Sequence, residues 1–140
     1  MKQYPKKLKF KKYHKLNIFI SKTLDKKTFF LSKGQYGLQS LEFGKIQYKH
    51  IESCRKTIKR GLKNLGYLWI NIFTNIPITK KSIASRMGKG KGNLAYWIAS
   101  TKVGQVLFEI SGFDFEKIVY ILHKSKNKLP IKTRVIKLIY

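Results

Sequence analysis

Negative charge, cysteine and long apolar runs are all scarce in this sequence. Six Asp and Glu stand against 31 Lys and Arg in 140 residues, a net charge of +25. So few carboxylates cannot neutralise so many cations within the molecule, so a polyanion outside it has to. The single cysteine, Cys54, excludes an internal disulfide framework and fits a reducing compartment. No apolar run approaches the roughly 18 residues of a membrane-spanning helix; the densest clusters are YLWI (67–70) and IVYIL (118–122). The first twenty residues lack the apolar segment and small-residue cleavage site of a secretory signal, and the Arg and Ser richness of a transit peptide. The expectation is a protein that works where it is made. Alanine occurs only at 84, 95 and 99 and arginine only at 55, 60, 86 and 134, whereas Lys, Ile, Phe, Tyr and Asn are frequent. An A+T-rich coding sequence produces that bias, and it points to an organelle, a mitochondrion first, with a plastid or an A+T-rich bacterial cytoplasm as alternatives.

Chemistry-bearing clusters are missing too. His14, His50 and His123 are scattered, with no Cys or His neighbour at metal-ligand spacing. Asp114 and Glu116 begin a helix, where negative charge suits the dipole, and Glu109 sits on a strand with no nucleophile or base near it in sequence. No catalytic residue, metal site, cofactor or small-molecule substrate is expected. On its helix Cys54 reads as a small core residue.

What is present is enough for one core. Hydrophobic residues make up 43% and aromatics 14%, which excludes wholesale disorder, and the length suits a single domain. Residues 1–28 read as a basic arm in which Tyr4, Phe10, Tyr13 and Phe19 interleave the lysines, ordered on its partner. Residues 29–140 read as the domain. A strand-like stretch broken by Gly34, Gly37 and Gly44 covers 29–46. A helix follows over about 48–65, with Ile51, Cys54, Ile58, Leu62 and Leu65 in one stripe, Arg55, Lys56, Lys59, Arg60 and Lys63 opposite, and Gly66 as the expected left-handed cap.

YLWINIF (67–73) predicts a buried strand ending before Pro77. YWIAST (96–101) and QVLFEIS (105–111) predict two strands joined by a turn at Gly104. A second helix starts at Asp114, and a last strand follows Pro130. The order is α+β: a single domain with an antiparallel or mixed sheet, two helices, a basic N-terminal arm and a glycine- and lysine-rich loop.

That loop is SRMGKGKGNLAYW (85–97). A triphosphate-binding loop needs Ser or Thr after its Gly-Lys, and none stands there. The dinucleotide pattern fails as well, because a strand rather than a helix follows. A flexible linker leaves the interleaved Arg86, Lys89 and Lys91 unexplained. Bare amides at Gly88, Gly90 and Gly92 beside these cations suit a crowded RNA surface. Trp97, in a strand pattern, reads as core before stacking platform.

RMGKGKGNLAYWIASTKVGQVLFEISG (86–112) resembles the signature of the bacterial-type large-subunit ribosomal protein L-sixteen family. YPKKLKFKKYHK, CRKTIKR, WINIFTNIPITKKSIASRMGKGKG and KLPIKT follow the same family in order, over nearly the whole chain. The resemblance implies an α/β hammerhead-like fold and a non-enzymatic part of the large ribosomal subunit that binds ribosomal RNA near the A site. It implies that the loop, matched by Arg86, Met87, Gly88, Lys89, Gly90, Lys91 and Gly92, reaches toward A-site tRNA. The arm, matched by Lys6, Lys7, Lys9, Lys11, Lys12, His14 and Lys15, is implied to enter ribosomal RNA. Arg55, Lys56, Lys59 and Arg60 are expected to give the helix an RNA-binding face. Neighbouring ribosomal proteins are further expected partners. The sequence departs from the family after His14 and Lys15, where Leu16 and Asn17 replace small and cationic residues, and the extra apolar side chains there suit a protein neighbour.

Two other readings share the charge. A free-standing RNA-binding protein or RNA chaperone would bind many RNAs with a steep salt dependence. A membrane-active protein would lay the helix over 48–65 on anionic lipid, without membrane insertion, and would need that helix free of the core.

Overall fold

The computed structural model describes residues 4–14, 28–63, 65–88, 90–112 and 114–138. In chain order these form β1 (Tyr36–Ser40), β2 (Gly44–Gln47), α1 (Tyr48–Leu62), β3 (Tyr67–Ile70), β4 (Ile76–Lys80), β5 (Asn93–Thr101), β6 (Val106–Ser111), α2 (Phe115–Lys126) and β7 (Thr133–Lys137). The departing segment after His14 lies outside the described residues except for Thr28.

The strands make two antiparallel sheets rather than one. Four follow the order β3-β6-β1-β7 and three the order β2-β5-β4. The expected α+β class holds, but β5 and β6 do not form a hairpin. A turn does stand between them, with Gly104 at φ 84°. Its hydrogen bonds go to the end of β1: Gly104 N–H donates to Ser40 O at 2.8 Å, and Ser40 N–H donates to Gln105 O at 2.9 Å. This seam delivers β6 to the side of β1, while β5 stays with β2 and β4. Gln39, fully buried, closes the seam by donating to Gly104 O (2.7 Å) and Phe29 O (2.8 Å) and accepting from Arg134 Nε (2.8 Å).

The α1 stripe buries as its spacing requires: Ile51, Cys54, Ile58 and Leu62 are inaccessible to solvent or nearly so. They pack with Leu38, Phe108 and Ile110 of the larger sheet, Ile46 and Ala99 of the smaller one, and Ile118, Ile121 and Leu122 of α2. A Cβ on Gly61 would stand 2.6 Å from Ile121 Cγ1, so that glycine sets how closely the helices approach. The stripe ends sooner than expected. Leu65 is 67% exposed, and the left-handed residue that stops the helix is Lys63 (φ 46°), not Gly66. Gly66 serves a different need, since a Cβ there would meet Ser111 O at 2.8 Å.

Strand β3 is shorter than the predicted 67–73 and lies at a sheet edge, with Leu68 and Ile70 against the core and Tyr67 in solvent. It ends before Pro77 as expected, but Pro77 itself sits inside a strand that the sequence did not mark, β4. That strand is the edge of its sheet and pairs only with β5, so a residue without N–H is tolerated there. The second helix begins where expected, with Asp114 extended at its N-cap; the carboxylate engages Lys117 Nζ at 2.8 Å instead of a backbone amide.

Candidate nucleic-acid interface

The glycine-rich segment is the connection between β4 and β5, so it stands at the tip of a hairpin whose stem ends at the pair Lys80 and Asn93. Its described residues up to Lys91 are exposed, and Ile83 and Met87 are entirely so. Gly88 (φ 99°) and Gly90 (φ 80°) take left-handed conformations in open space. Gly92 is required for another reason, because a Cβ would fall 2.6 Å from the carbonyl carbon and oxygen of Lys80 across the stem. Inside the loop Lys81 Nζ donates to Gly88 O at 2.6 Å, and the hydroxyls of Ser82 and Ser85 meet at 2.8 Å. Together these residues surround an open concavity of about 710 Å³ with Lys80, Lys81, Arg86 and Lys91 on its walls. Four cations around bare backbone give it the chemistry of an anion cradle. Lys89 lies outside the described residues.

The arm is brought to this hairpin. Tyr4 stacks on Trp97 of β5, with ring centroids 5.9 Å apart and planes at 17°. At its other end Lys12 Nζ donates to Lys91 O at 3.4 Å, and Lys91 Nζ donates to Tyr13 O. Lys6, Lys7, Lys9, Lys11, Lys12 and His14 all face solvent; Lys15 lies outside the described residues. Trp97 is 8% exposed, so its reading as a buried side chain holds, but it is absent from the central apolar cluster and one of its faces is covered by the arm.

The face of α1 makes a separate surface. Arg55, Lys56, Lys59, Arg60 and Lys63 line a shallow groove of about 380 Å³. Arg55 is set apart from the others because its guanidinium grips Glu52 in a two-point fork, Nε to Oε2 at 2.9 Å and Nη2 to Oε1 at 2.6 Å. That hydrogen bonding holds the Glu52 carboxyl below its ordinary range. Lys56, Lys59, Arg60 and Lys63 are exposed. The apolar stripe beneath them is in the core, so the helix has no free apolar face to lay on a bilayer. Among the described residues no helix is long and apolar enough to cross a membrane.

The titratable groups away from these cations serve the fold. Burial pushes the Cys54 thiol up to about 12, partly offset by a hydrogen bond with Ser125. His50 is lowered by burial and by Lys49. Among the described residues no cluster of three His, Cys, Asp or Glu side chains is arranged to hold a metal. Glu109 is the acid whose role the sequence hid. Fully buried, it accepts from the amides of Lys33 (2.7 Å), Gly34 (2.8 Å) and Ser32 (3.1 Å) and from the Asn71 side chain. Burial raises its pKa, and these donors outweigh burial and hold it below the ordinary value.

A small α+β domain with exposed cations on an arm, a hairpin tip and a helix is built as a protein that lives against a polyanion. The chain belongs to the family described as Ribosomal protein L16p/L10e, which matches residues 5–136. It is 42% identical over 133 residues to the large ribosomal subunit protein uL16 of Leptospira biflexa, covering 95% of each chain. It is 43% identical over 130 residues to uL16 of Buchnera aphidicola, covering 92% of each. With the large ribosomal subunit protein uL16c of Euglena longa it shares 46% identity over 132 residues, 94% of this chain and 96% of that one. Membership makes this protein a structural, non-enzymatic constituent of the large ribosomal subunit.

Proposed function

We propose that this chain binds large-subunit ribosomal RNA near the A site and helps position A-site tRNA during translation. In this reading the loop from Arg86 to Gly92 reaches tRNA, and the arm within residues 1–28 together with the exposed cations of α1 anchors the domain 29–140 in ribosomal RNA. The observation that carries it is the hairpin tip, where cations and glycine backbone project from a paired stem around an open concavity. Such a finger meets phosphates with amides and ammonium groups alike, while peptide-bond chemistry belongs to RNA. Neighbouring ribosomal proteins are partners for exposed apolar side chains such as Phe30 and Tyr120. The proposed compartment is the mitochondrion, on the strength of the residue-usage bias.

Two measurements test this. Sedimentation of the tagged protein from organelle lysate, with and without ribonuclease, is expected to place it with the large subunit and to lose it on digestion. Migration as a free protein favours the chaperone reading instead. The double variant Lys89→Ala, Lys91→Ala is expected to slow tRNA accommodation more than subunit assembly; normal accommodation in surviving ribosomes after impaired assembly would make the loop an rRNA anchor.

A further inference from the structure

Lys12 and Tyr13 of the arm both bond Lys91 of the loop, 79 and 78 residues away in sequence, and the stack of Tyr4 on Trp97 fixes the arm at the hairpin's base. We infer that Tyr4 is a positioning residue for the RNA-binding loop: the arm is a strut that holds the loop and its own lysines as one preassembled RNA-binding unit. This rests on the RNA-binding reading above and adds to it how two remote segments come to act together.

Chain lengths support the strut. From Trp97 back to Lys91 is six residues, about 20 Å of strand. From Tyr4 to Lys12 is eight residues, at most about 28 Å when fully stretched. The arm is therefore long enough to hold both anchors at once. The loop needs such support. A Cβ built on either left-handed glycine would meet nothing within 4 Å, and Ile83 and Met87 are fully exposed, so among the described residues little apolar packing stiffens the loop. Two cationic segments held in register bind one polyanion without either having to be ordered at that moment. Tyr4 carries no charge, so its contribution is separable from the electrostatic one.

The test uses the full chain, a protein-free large-subunit ribosomal RNA transcript, and hydrogen exchange of the loop amides in the free protein. Tyr4→Ala is expected to weaken RNA binding roughly three- to tenfold, the scale of one aromatic stack. The salt slope should stay unchanged, because no cation is removed. Loop exchange should quicken without RNA, and Tyr4→Phe, which keeps the stack, should restore both. The cost of Lys91→Ala should shrink in the Tyr4→Ala background. Weaker binding with unaltered loop exchange would make Tyr4 a direct RNA contact and overturn the strut, as would no change in either readout. Failure of the wild-type chain to bind the transcript would refute the RNA-binding reading, while the exchange comparison would still decide whether Tyr4 positions the loop.

Discussion

The amide of Gly34 and the carboxylate of Glu109 meet at 2.8 Å across 75 residues of sequence, inside a domain that carries a net charge of +25. One buried anion ties the segment leading out of the arm to the middle of the larger sheet. A Cβ on Gly34 would press to 2.8 Å on Ile110 N, so the approach that makes the bond also requires the glycine.

Glu109→Gln replaces an acceptor of several amides with a side chain that brings donors of its own. Loss of a charge-assisted, buried network of this kind is expected to lower stability by about 1–3 kcal/mol. Urea denaturation of the two proteins at pH 7 measures it.

The same group makes stability depend on acid. The folded pKa of Glu109 lies below its ordinary value of 4.5, so the unfolded chain takes up the proton first. Its stabilisation is complete above about 4.5 and is lost as pH falls through the folded value. His50, lowered from 6.5, acts with the same sign at a higher pH, since protonation favours the unfolded chain. Urea midpoints from pH 7 to 3 should fall, and fall less steeply below 4.5 in Glu109→Gln.

Cys54, with its thiol near 12 and no exposed surface, is expected to resist thiol reagents in the native state. Labelling at neutral pH should track unfolding, rising with urea along the same transition as circular dichroism. Rapid labelling without denaturant would contradict the burial.

Gly92→Ala and Gly90→Ala separate space from backbone conformation. At 92 the new methyl meets the Lys80 backbone and is expected to pry the stem apart, costing about 1–3 kcal/mol and quickening exchange of the stem amides. At 90 the space is open and only the left-handed φ of 80° resists, so the cost is about 1 kcal/mol and the stem is unaffected.

Lys63→Gly is expected to move two assays in opposite directions. Relief of the left-handed φ of 46° should add about 1 kcal/mol of stability. Removal of a cation from the α1 groove should reduce the salt slope of RNA binding by about one.

What could be read in the sequence was whatever local spacing determines. The α1 stripe was legible because three- and four-residue intervals put Ile51, Cys54, Ile58 and Leu62 on one side of any helix. The basic loop was legible as an exposed connection from composition, since alternating Gly and Lys suit neither a core strand nor a helix. The division into two sheets was not, because it depends on the seam between Ser40 and Gly104, residues far apart in the chain whose bonds are backbone bonds that any side chain permits. Strand β4 was missed because it contains Pro77, a residue that a strand tolerates only at an edge, and edges are not visible in sequence. Glu109 gave no sign of burial, as its partners are mostly main-chain amides far away in the chain. Tyr4 looked like one more aromatic among lysines, and only the fold reveals that it meets Trp97.

The sheet edges matter before the protein joins its ribosomal subunit. Strand β4 is guarded by Pro77 and Lys80, β2 by Lys45, and β7 by Arg134 and Lys137, each of which discourages a second chain from pairing along that edge. Strand β3, Tyr67–Ile70, has neither proline nor charge. At that edge the device left to oppose pairing of free copies is the long-range repulsion of +25 charges, which fades once salt shortens its reach to a few ångströms. High ionic strength therefore removes the defence against self-association along β3, and purification of the free protein at high salt is expected to favour that pairing.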